Sequence, residues 1–224
     1  GIVIKLGNML RHFYEAEDLL VFGSGYSLAL ASYKAMECGK TGMEFAVGIP
    51  GSIGGAVYMN AGAYDGEMQN IVNCVKVMDL QGNERVLTAE ELNFGYRKTS
   101  LQNSGLIVTE VTLKMPSGNK DEIKSKMDDF SHRRISKQPL EMPSAGSMFK
   151  RPPGYFAGTL IDQAGLKGYT VGGAQISTKH AGFVVNVGGA TAADVLQLIK
   201  DVQTKIKAGV GVELQPEVLV IGEE

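Results

Sequence analysis

Gly48-Ile49-Pro50-Gly51-Ser52-Ile53-Gly54-Gly55-Ala56-Val57-Tyr58-Met59-Asn60-Ala61-Gly62-Ala63-Tyr64-Asp65-Gly66-Glu67 is the stretch on which the reading of this chain turns. It packs six glycines into a run with almost no charge. Glycine at this density lets a backbone turn through positive φ and approach something bulky, and successive N–H groups in such turns form an anion-binding concavity. A solvated linker is the bland alternative, but Ile49, Ile53, Val57, Tyr58, Met59 and Tyr64 are not linker residues. The segment lacks the Lys-Ser/Thr ending of a P-loop, and Gly51-Ser52-Ile53-Gly54-Gly55 does not have the spacing of the dinucleotide fingerprint. It reads as an anion cradle on another scaffold.

The surrounding composition is that of an ordinary globular chain: 224 residues, 44% hydrophobic and 21% charged, enough for one large domain or two small ones. Lys and Arg number 22 against 24 Asp and Glu, so no global field draws the protein to nucleic acid or to an anionic membrane. Cys38 and Cys74 have no neighbours at metal-ligand spacing, and neither a signal peptide nor a bilayer-length apolar run is present. The expectation is a cytoplasmic protein with no metal site. The opening Gly1-Ile2-Val3-Ile4-Lys5-Leu6, without an initiator Met or a helix cap, reads as entry in mid-strand, and hence as a fragment of a longer protein.

Periodicity predicts short strands at 2–6 and 19–22, and a helix from Tyr26 to Cys38. Residues 71–79 and 84–87 flank Gln81-Gly82-Asn83 as a hairpin, and Thr88 with Glu91 forms a capping box for a short helix. Residues 106–115 alternate, with Ile107, Thr109, Val111, Leu113 and Met115 on one face. The composition shift at Pro116-Ser117-Gly118-Asn119 marks a domain boundary, and the charged stretch beyond it carries Ile123, Met127, Phe130 and Ile135 at helical spacing up to Pro139. Further on come a short helix at 156–164, strands at 169–176 and 180–187, and an amphipathic helix over 191–208, capped by Thr191 and stopped by Gly209. A last strand, 212–221, contains Pro216, which argues for an edge or a strand entering a site. The class is α+β.

Besides the Gly-rich run, chemistry-bearing residues gather at Phe94-Gly95-Tyr96-Arg97-Lys98-Thr99-Ser100, at Ser144-Ala145-Gly146-Ser147-Met148-Phe149-Lys150-Arg151-Pro152, at Lys179-His180 and at Leu214-Gln215-Pro216-Glu217-Val218. No nucleophile elbow surrounds Ser52 or Ser147, so hydrolysis is poorly supported. Glu217 amid Val218-Leu219-Val220-Ile221 must sit at an end, pair, or work.

Taken in order, these segments resemble the UDP-N-acetylenolpyruvoylglucosamine reductase (MurB) family over essentially the whole chain. The carriers are Gly48–Gly55 with Asn60-Ala61-Gly62-Ala63-Tyr64, Phe94–Arg97, Gly146–Pro152, Leu160–Gly168 and Gln215–Val218. The resemblance implies that NADPH reduces bound FAD and that hydride passes from flavin N5 to C3 of UDP-N-acetylglucosamine enolpyruvate, leaving an enolate at C2 and giving UDP-N-acetylmuramate for peptidoglycan.

The same resemblance implies the residue roles. Arg97 and a proton-bearing Glu217 polarise the substrate carboxylate and stabilise the enolate, and Ser147 gives the proton to C2, where geometry matters more than acidity. That Lys150, three residues on, eases the resulting alkoxide is an expectation from its nearness to Ser147 and not from the resemblance. Pro50, Gly51, Ser52, Gly54, Gly55, Asn60 and Gly62 are implied as cofactor contacts, and Tyr96, Lys150, Arg151, Tyr155 and His180 as substrate contacts, with a forked guanidinium suited to a diphosphate. Arg151, where another subclass has Asn, and the short interval from Arg97 to Ser147 resemble the second, shorter type. The implied fold is the remainder of a two-lobed FAD-binding domain, similar to vanillyl-alcohol oxidase and PCMH proteins, plus a smaller α+β substrate domain. Residues 1–117 would form the second FAD lobe, 118–209 the substrate domain, and 210–224 a returning strand with Glu217. A monomer is implied. The alternatives are a non-catalytic sugar-nucleotide-binding fragment and another FAD-dependent oxidoreductase on the same scaffold; an oxidase need not protonate a carbanion and would be expected to lack the Ser147 and Glu217 pair.

Overall fold

The computed structural model describes residues 3–222, which fall into two compact units, 3–132 and 133–222. The first unit is built on strands β1 (Phe13–Ala16), β2 (Leu19–Gly23), β5 (Val72–Met78), β6 (Glu84–Thr88) and β7 (Ile107–Lys114), with a two-stranded ribbon of β3 (Gly62–Ala63) and β4 (Gly66–Glu67). The five strands form one sheet in the order β1-β2-β7-β5-β6, every pairing antiparallel. Helices α1 (Leu28–Glu37) and α2 (Ile53–Tyr58) supply Leu28, Ala31, Ile53 and Val57 to a core shared with Phe22, Val75, Val111 and Leu113 of the sheet. Helix α3 (Lys120–Lys137) packs Ile123, Met127 and Phe130 against Val47, and Tyr64 stacks on Phe130 with ring centroids 4.4 Å apart.

The expected alternation of β7 breaks at Thr109. Lys76 faces Glu110 and Val77 faces Val108, so Thr109 is the extra residue of a β-bulge. The bulge moves the inward parity by one, and Val108, rather than Ile107 or Thr109, is buried with Val111 and Leu113. No strand forms over the described part of the opening segment, 3–6; residue 2 lies outside the described residues. The Thr88–Glu91 box forms both of its bonds (2.8 and 3.3 Å) yet starts no helix, because Asn93 turns left-handed (φ 44°) within one turn.

The second unit has a four-stranded antiparallel sheet in the order β8-β11-β10-β9, from β8 (Ser144–Ser147), β9 (Thr170–Val171), β10 (Ala174–Ile176) and β11 (Phe183–Asn186). The strand expected over 169–176 is a hairpin, folded back at Gly172-Gly173 so that Ala174 pairs with Val171. Helix α4 (Ala157–Gln163) buries Leu160 and Ile161, and α5 (Ala192–Val210) buries Leu198, Ile199, Val202 and Ile206 in the same core. Thr191 and Asp194 close a reciprocal capping box at the start of α5, worth about 1 kcal/mol. The helix runs past Gly209 and ends at Gly211, whose φ of 72° is the left-handed cap. Over 212–221 no continuous strand is present: Pro216 alone pairs, with Phe149.

One buried charge makes the stability of the first unit depend on pH. Glu44, 3% exposed, accepts from the Thr41 hydroxyl (2.6 Å) and the Gly42 N–H (2.8 Å), and lies 3.8 Å from Lys126. Burial opposes its ionisation, yet these hydrogen bonds and Lys126 hold its carboxyl below the ordinary 4.5. With the folded value depressed, its stabilisation is complete above pH 4.5 and is lost as the pH falls through the folded value. Glu44→Gln should therefore cost about 1–3 kcal/mol at neutral pH and flatten the acid limb of a melting-temperature profile. A variant with an unchanged acid limb would show that Glu44 is not the responsible group.

Candidate functional site

Within the Gly-rich run, Ile53–Tyr58 form the helix α2. Ser52 caps α2 by accepting from the Gly55 N–H (3.3 Å), while the Ile53 and Gly54 N–H groups donate to the carbonyls of Tyr26 and Ser24 (2.9 Å each). These leading N–H groups are therefore committed to the fold and are not open to an anion. Gly54 is needed for closeness, since a Cβ there would lie 2.7 Å from Ser24 Cβ. Asn60, expected among the cofactor contacts, is fully buried at φ 43°, and its side chain serves other protein groups. Gly62 is likewise turned inward, with Glu67 Cβ 2.8 Å from where its own would be.

Pro50, Gly51 and Gly55 are exposed, with half-buried Ser52 between them. A Cβ at Gly51 would meet nothing within 4 Å, and one at Gly55 only Ser52 Oγ at 3.5 Å. An exposed glycine inside a helix costs about 1 kcal/mol relative to Ala, and nothing in the fold asks for one at 55. Such a surface fits a planar cofactor that comes up against bare backbone.

Gly95-Tyr96-Arg97-Lys98 is a turn closed by the Lys98 N–H donating to the Gly95 carbonyl (3.1 Å). Arg97 is its third residue and has φ 54°, a conformation that ordinarily calls for Gly or Asn and costs a long side chain about 1–3 kcal/mol. Its guanidinium donates to the carbonyls of Asn60 (3.4 Å) and Gly62 (3.1 Å) and lies 5.1 Å from the Tyr96 ring centroid. Thr99, within the segment singled out by sequence, bonds to the end of α2, and Gln102, which carries no signal in the sequence, bonds both to that end and to the turn.

In the second unit, the segment from Ser147 to Lys150 has partners on both sides. Ser147 pairs with Phe183 of β11, and Met148 N–H donates to the Gly182 carbonyl (2.8 Å). On the other side the Glu217 N–H donates to the Met148 carbonyl (2.8 Å) and the Lys150 N–H to the Gln215 carbonyl (2.9 Å). Pro216, which has no N–H, sits between these two bonds opposite Phe149. Ser147, Lys150 and Glu217 are thus brought together on adjacent extended segments. Ser147 is exposed and Glu217 half-buried.

Arg151, Tyr155 and His180 gather around the start of α4. The Arg151 guanidinium lies 4.0 Å from the Phe156 ring centroid, and the Tyr155 N–H donates to the Pro152 carbonyl (3.1 Å). His180 Nδ1 accepts from the Gly182 N–H (3.1 Å), so the neutral ring carries its proton on Nε2. Burial lowers the His180 pKa, which favours that neutral form. Gly158 of α4 leaves room for the ring: a Cβ there would be 3.3 Å from His180 Cε1.

Thiol chemistry has no support at Cys38, whose pKa is pushed up to about 11 by burial and by its hydrogen bond to Glu15. Among the described residues no cluster of His, Cys, Asp and Glu could hold a metal, and no helix is long and apolar enough to cross a membrane.

Residues 1–88 match the FAD binding domain family, and residues 138–221 match the family described as UDP-N-acetylenolpyruvoylglucosamine reductase, C-terminal domain. The chain is 51% identical over all 224 residues to the UDP-N-acetylenolpyruvoylglucosamine reductase of Clostridium perfringens (strain SM101 / Type A), of which it covers 73%. The chain belongs to this reductase family. The reductase of Geobacillus thermodenitrificans (strain NG80-2) is 49% identical over the same 224 residues, again with 73% of that protein covered. The crystal structure of UDP-N-acetylenolpyruvylglucosamine reductase (MurB) from Thermus caldophilus superposes with a TM-score of 0.78 at 42% identity, covering 88% of this chain and 71% of that one. As a member of the reductase family with an FAD-binding domain, the protein is a flavin-dependent oxidoreductase of α+β fold, as the motifs implied.

Proposed function

We propose that the protein catalyses the NADPH-dependent, FAD-mediated reduction of UDP-N-acetylglucosamine enolpyruvate to UDP-N-acetylmuramate, a step of peptidoglycan precursor synthesis. The observation that carries this reading is the pairing of the Ser147–Lys150 segment with Gln215–Glu217, which runs the backbones that carry Ser147 and Glu217 alongside each other from distant parts of the chain. An oxidase on the same scaffold has no carbanion to protonate and no need of that pair.

Pro50, Gly51, Ser52 and Gly55 would hold the flavin, with Gly54, Asn60 and Gly62 shaping the backbone beneath. Bound FAD would accept hydride from NADPH and pass it to C3 of the enolpyruvyl group. As the C3–H bond forms, the C2=C3 electron pair moves toward C2 and the carboxylate. Arg97 meets that growing negative charge with a fixed cation, and Glu217 engages the same carboxylate, so both are tighter partners of the enolate than of the substrate. Ser147 Oγ–H gives its proton to C2, and the Lys150 ammonium stabilises the alkoxide left behind. Tyr96, Arg151, Tyr155 and His180 bind the sugar nucleotide, Arg151 through its fork on the diphosphate. In domain terms, the unit 3–132 serves the flavin, and the unit 133–222 serves the sugar nucleotide and carries Glu217. The protein works as a cytoplasmic monomer.

Two anaerobic additions to the full-length, flavin-loaded protein test this reading. NADPH should bleach the flavin absorbance, and the enolpyruvyl sugar nucleotide should then restore it. Bleaching that the sugar nucleotide cannot reverse would point to a different electron acceptor.

A further inference from the structure

We propose that Gln102, acting with Asn60, is a positioning residue for Arg97: a half-buried amide and a fully buried one hold the third and first carbonyls of a strained turn and so set the direction of its guanidinium. The inference rests on the reading above that Arg97 meets the substrate carboxylate.

The bonding is specific to this turn. The Gln102 side-chain amide has two hydrogens, and it places them on the carbonyl of Arg97 itself (3.1 Å) and on that of Tyr58, the last residue of α2 (3.2 Å). Thr99, 2% exposed, donates its hydroxyl to the same Tyr58 carbonyl (2.8 Å). On the other side the Asn60 amide donates to the Gly95 carbonyl (3.0 Å) and to Glu67 Oε2 (3.1 Å), while its own side-chain oxygen accepts the Gln69 N–H (3.0 Å). The Asn60 backbone carbonyl then accepts from the guanidinium. One residue therefore ties both the first carbonyl of the turn and the charged tip of its side chain to the Gly-rich segment.

Arg97 holds a positive φ that an arginine leaves unless its surroundings over-determine it. The bond that opposes relaxation most directly is the one to its own carbonyl, because a return to negative φ would reorient that peptide and swing the guanidinium away from the Asn60 and Gly62 carbonyls. A general packing residue would have no reason to aim its donor at that atom.

The test uses full-length, flavin-loaded protein with Gln102→Leu, which keeps the bulk and removes both donors, alone and combined with Arg97→Ala. Flavin reduction by NADPH and flavin reoxidation by the enolpyruvyl sugar nucleotide are timed separately. Gln102→Leu should slow reoxidation by about 10- to 100-fold, the scale of a misplaced catalytic group, and leave reduction by NADPH within about twofold. In the Arg97→Ala background it should add nothing, because a residue that acts only through Arg97 has nothing left to position. Gln102→Met gives the same comparison if the leucine variant does not accumulate. A full additional penalty in the Arg97→Ala background, an equal fall in both half-reactions, or no effect on either would overturn the proposal. If Arg97→Ala itself leaves reoxidation unchanged, the role of Arg97 fails, and the clamp with it.

Discussion

Ser147→Ala should reduce its flavin with NADPH at the wild-type rate and then reoxidise it with the enolpyruvyl sugar nucleotide about 10²–10⁴-fold more slowly, the range for loss of a positioned proton donor. The two half-reactions separate because hydride transfer to the flavin precedes any need for a proton at C2. The substitution is a clean probe: Ser147 is exposed at the end of β8, and its pairing with Phe183 is through backbone that alanine keeps. Its melting temperature should therefore stay close to wild type. A serine hydroxyl is a weak acid, so the assignment depends on the pairing of β8 with β11 and the return of Gln215–Glu217 along the other side. Wild-type reoxidation in Ser147→Ala would move the donor role to another residue.

Glu217→Ala should fall in the same half-reaction by about 10²–10³-fold, as expected when one stabiliser of a developing anion is removed. Glu217→Gln should fall less, because the amide keeps both the shape and an N–H donor without a charge. The backbone bond from the Glu217 N–H to the Met148 carbonyl survives both changes, so segment 215–217 keeps its place. If Gln proves as damaging as Ala in single-turnover reoxidation, hydrogen-bond donation by Glu217 is the wrong account of its role.

The fold was legible where a signal lies within one element. The apolar spacing of Val195, Leu198, Ile199, Val202 and Ile206, with the Thr191 cap, gave α5 almost to the residue, because both are properties of a single helix. The Thr109 bulge was not legible, since it depends on how β7 registers against β5, and alternation along one strand cannot report that. The hairpin at Gly172 could have been found, because two adjacent glycines between Val171 and Ala174 are a turn signal. Helix α2 was hidden for the opposite reason: it forms against glycine's propensity, held by the carbonyls of Ser24 and Tyr26.

The site divides in the same way. Ser147 and Glu217 were visible as motifs, and the structure adds that their segments pair. Asn60 was visible as part of a motif, but its full burial and its bonds to Glu67, Gly95 and Gln69 were not, because they depend on what the fold packs around it. The left-handed backbone of Arg97 left no trace in the sequence, because the residue type argues against it. Gln102 was overlooked because its role lies wholly in the atoms it reaches.

The most direct test of the central claim is NADPH oxidation by the full-length, FAD-containing protein, followed with and without UDP-N-acetylglucosamine enolpyruvate. The account predicts negligible oxidation without the sugar nucleotide and rapid, saturable oxidation with it, one NADPH consumed for each UDP-N-acetylmuramate formed. NADPH oxidation at the same rate whether or not the sugar nucleotide is present would contradict it.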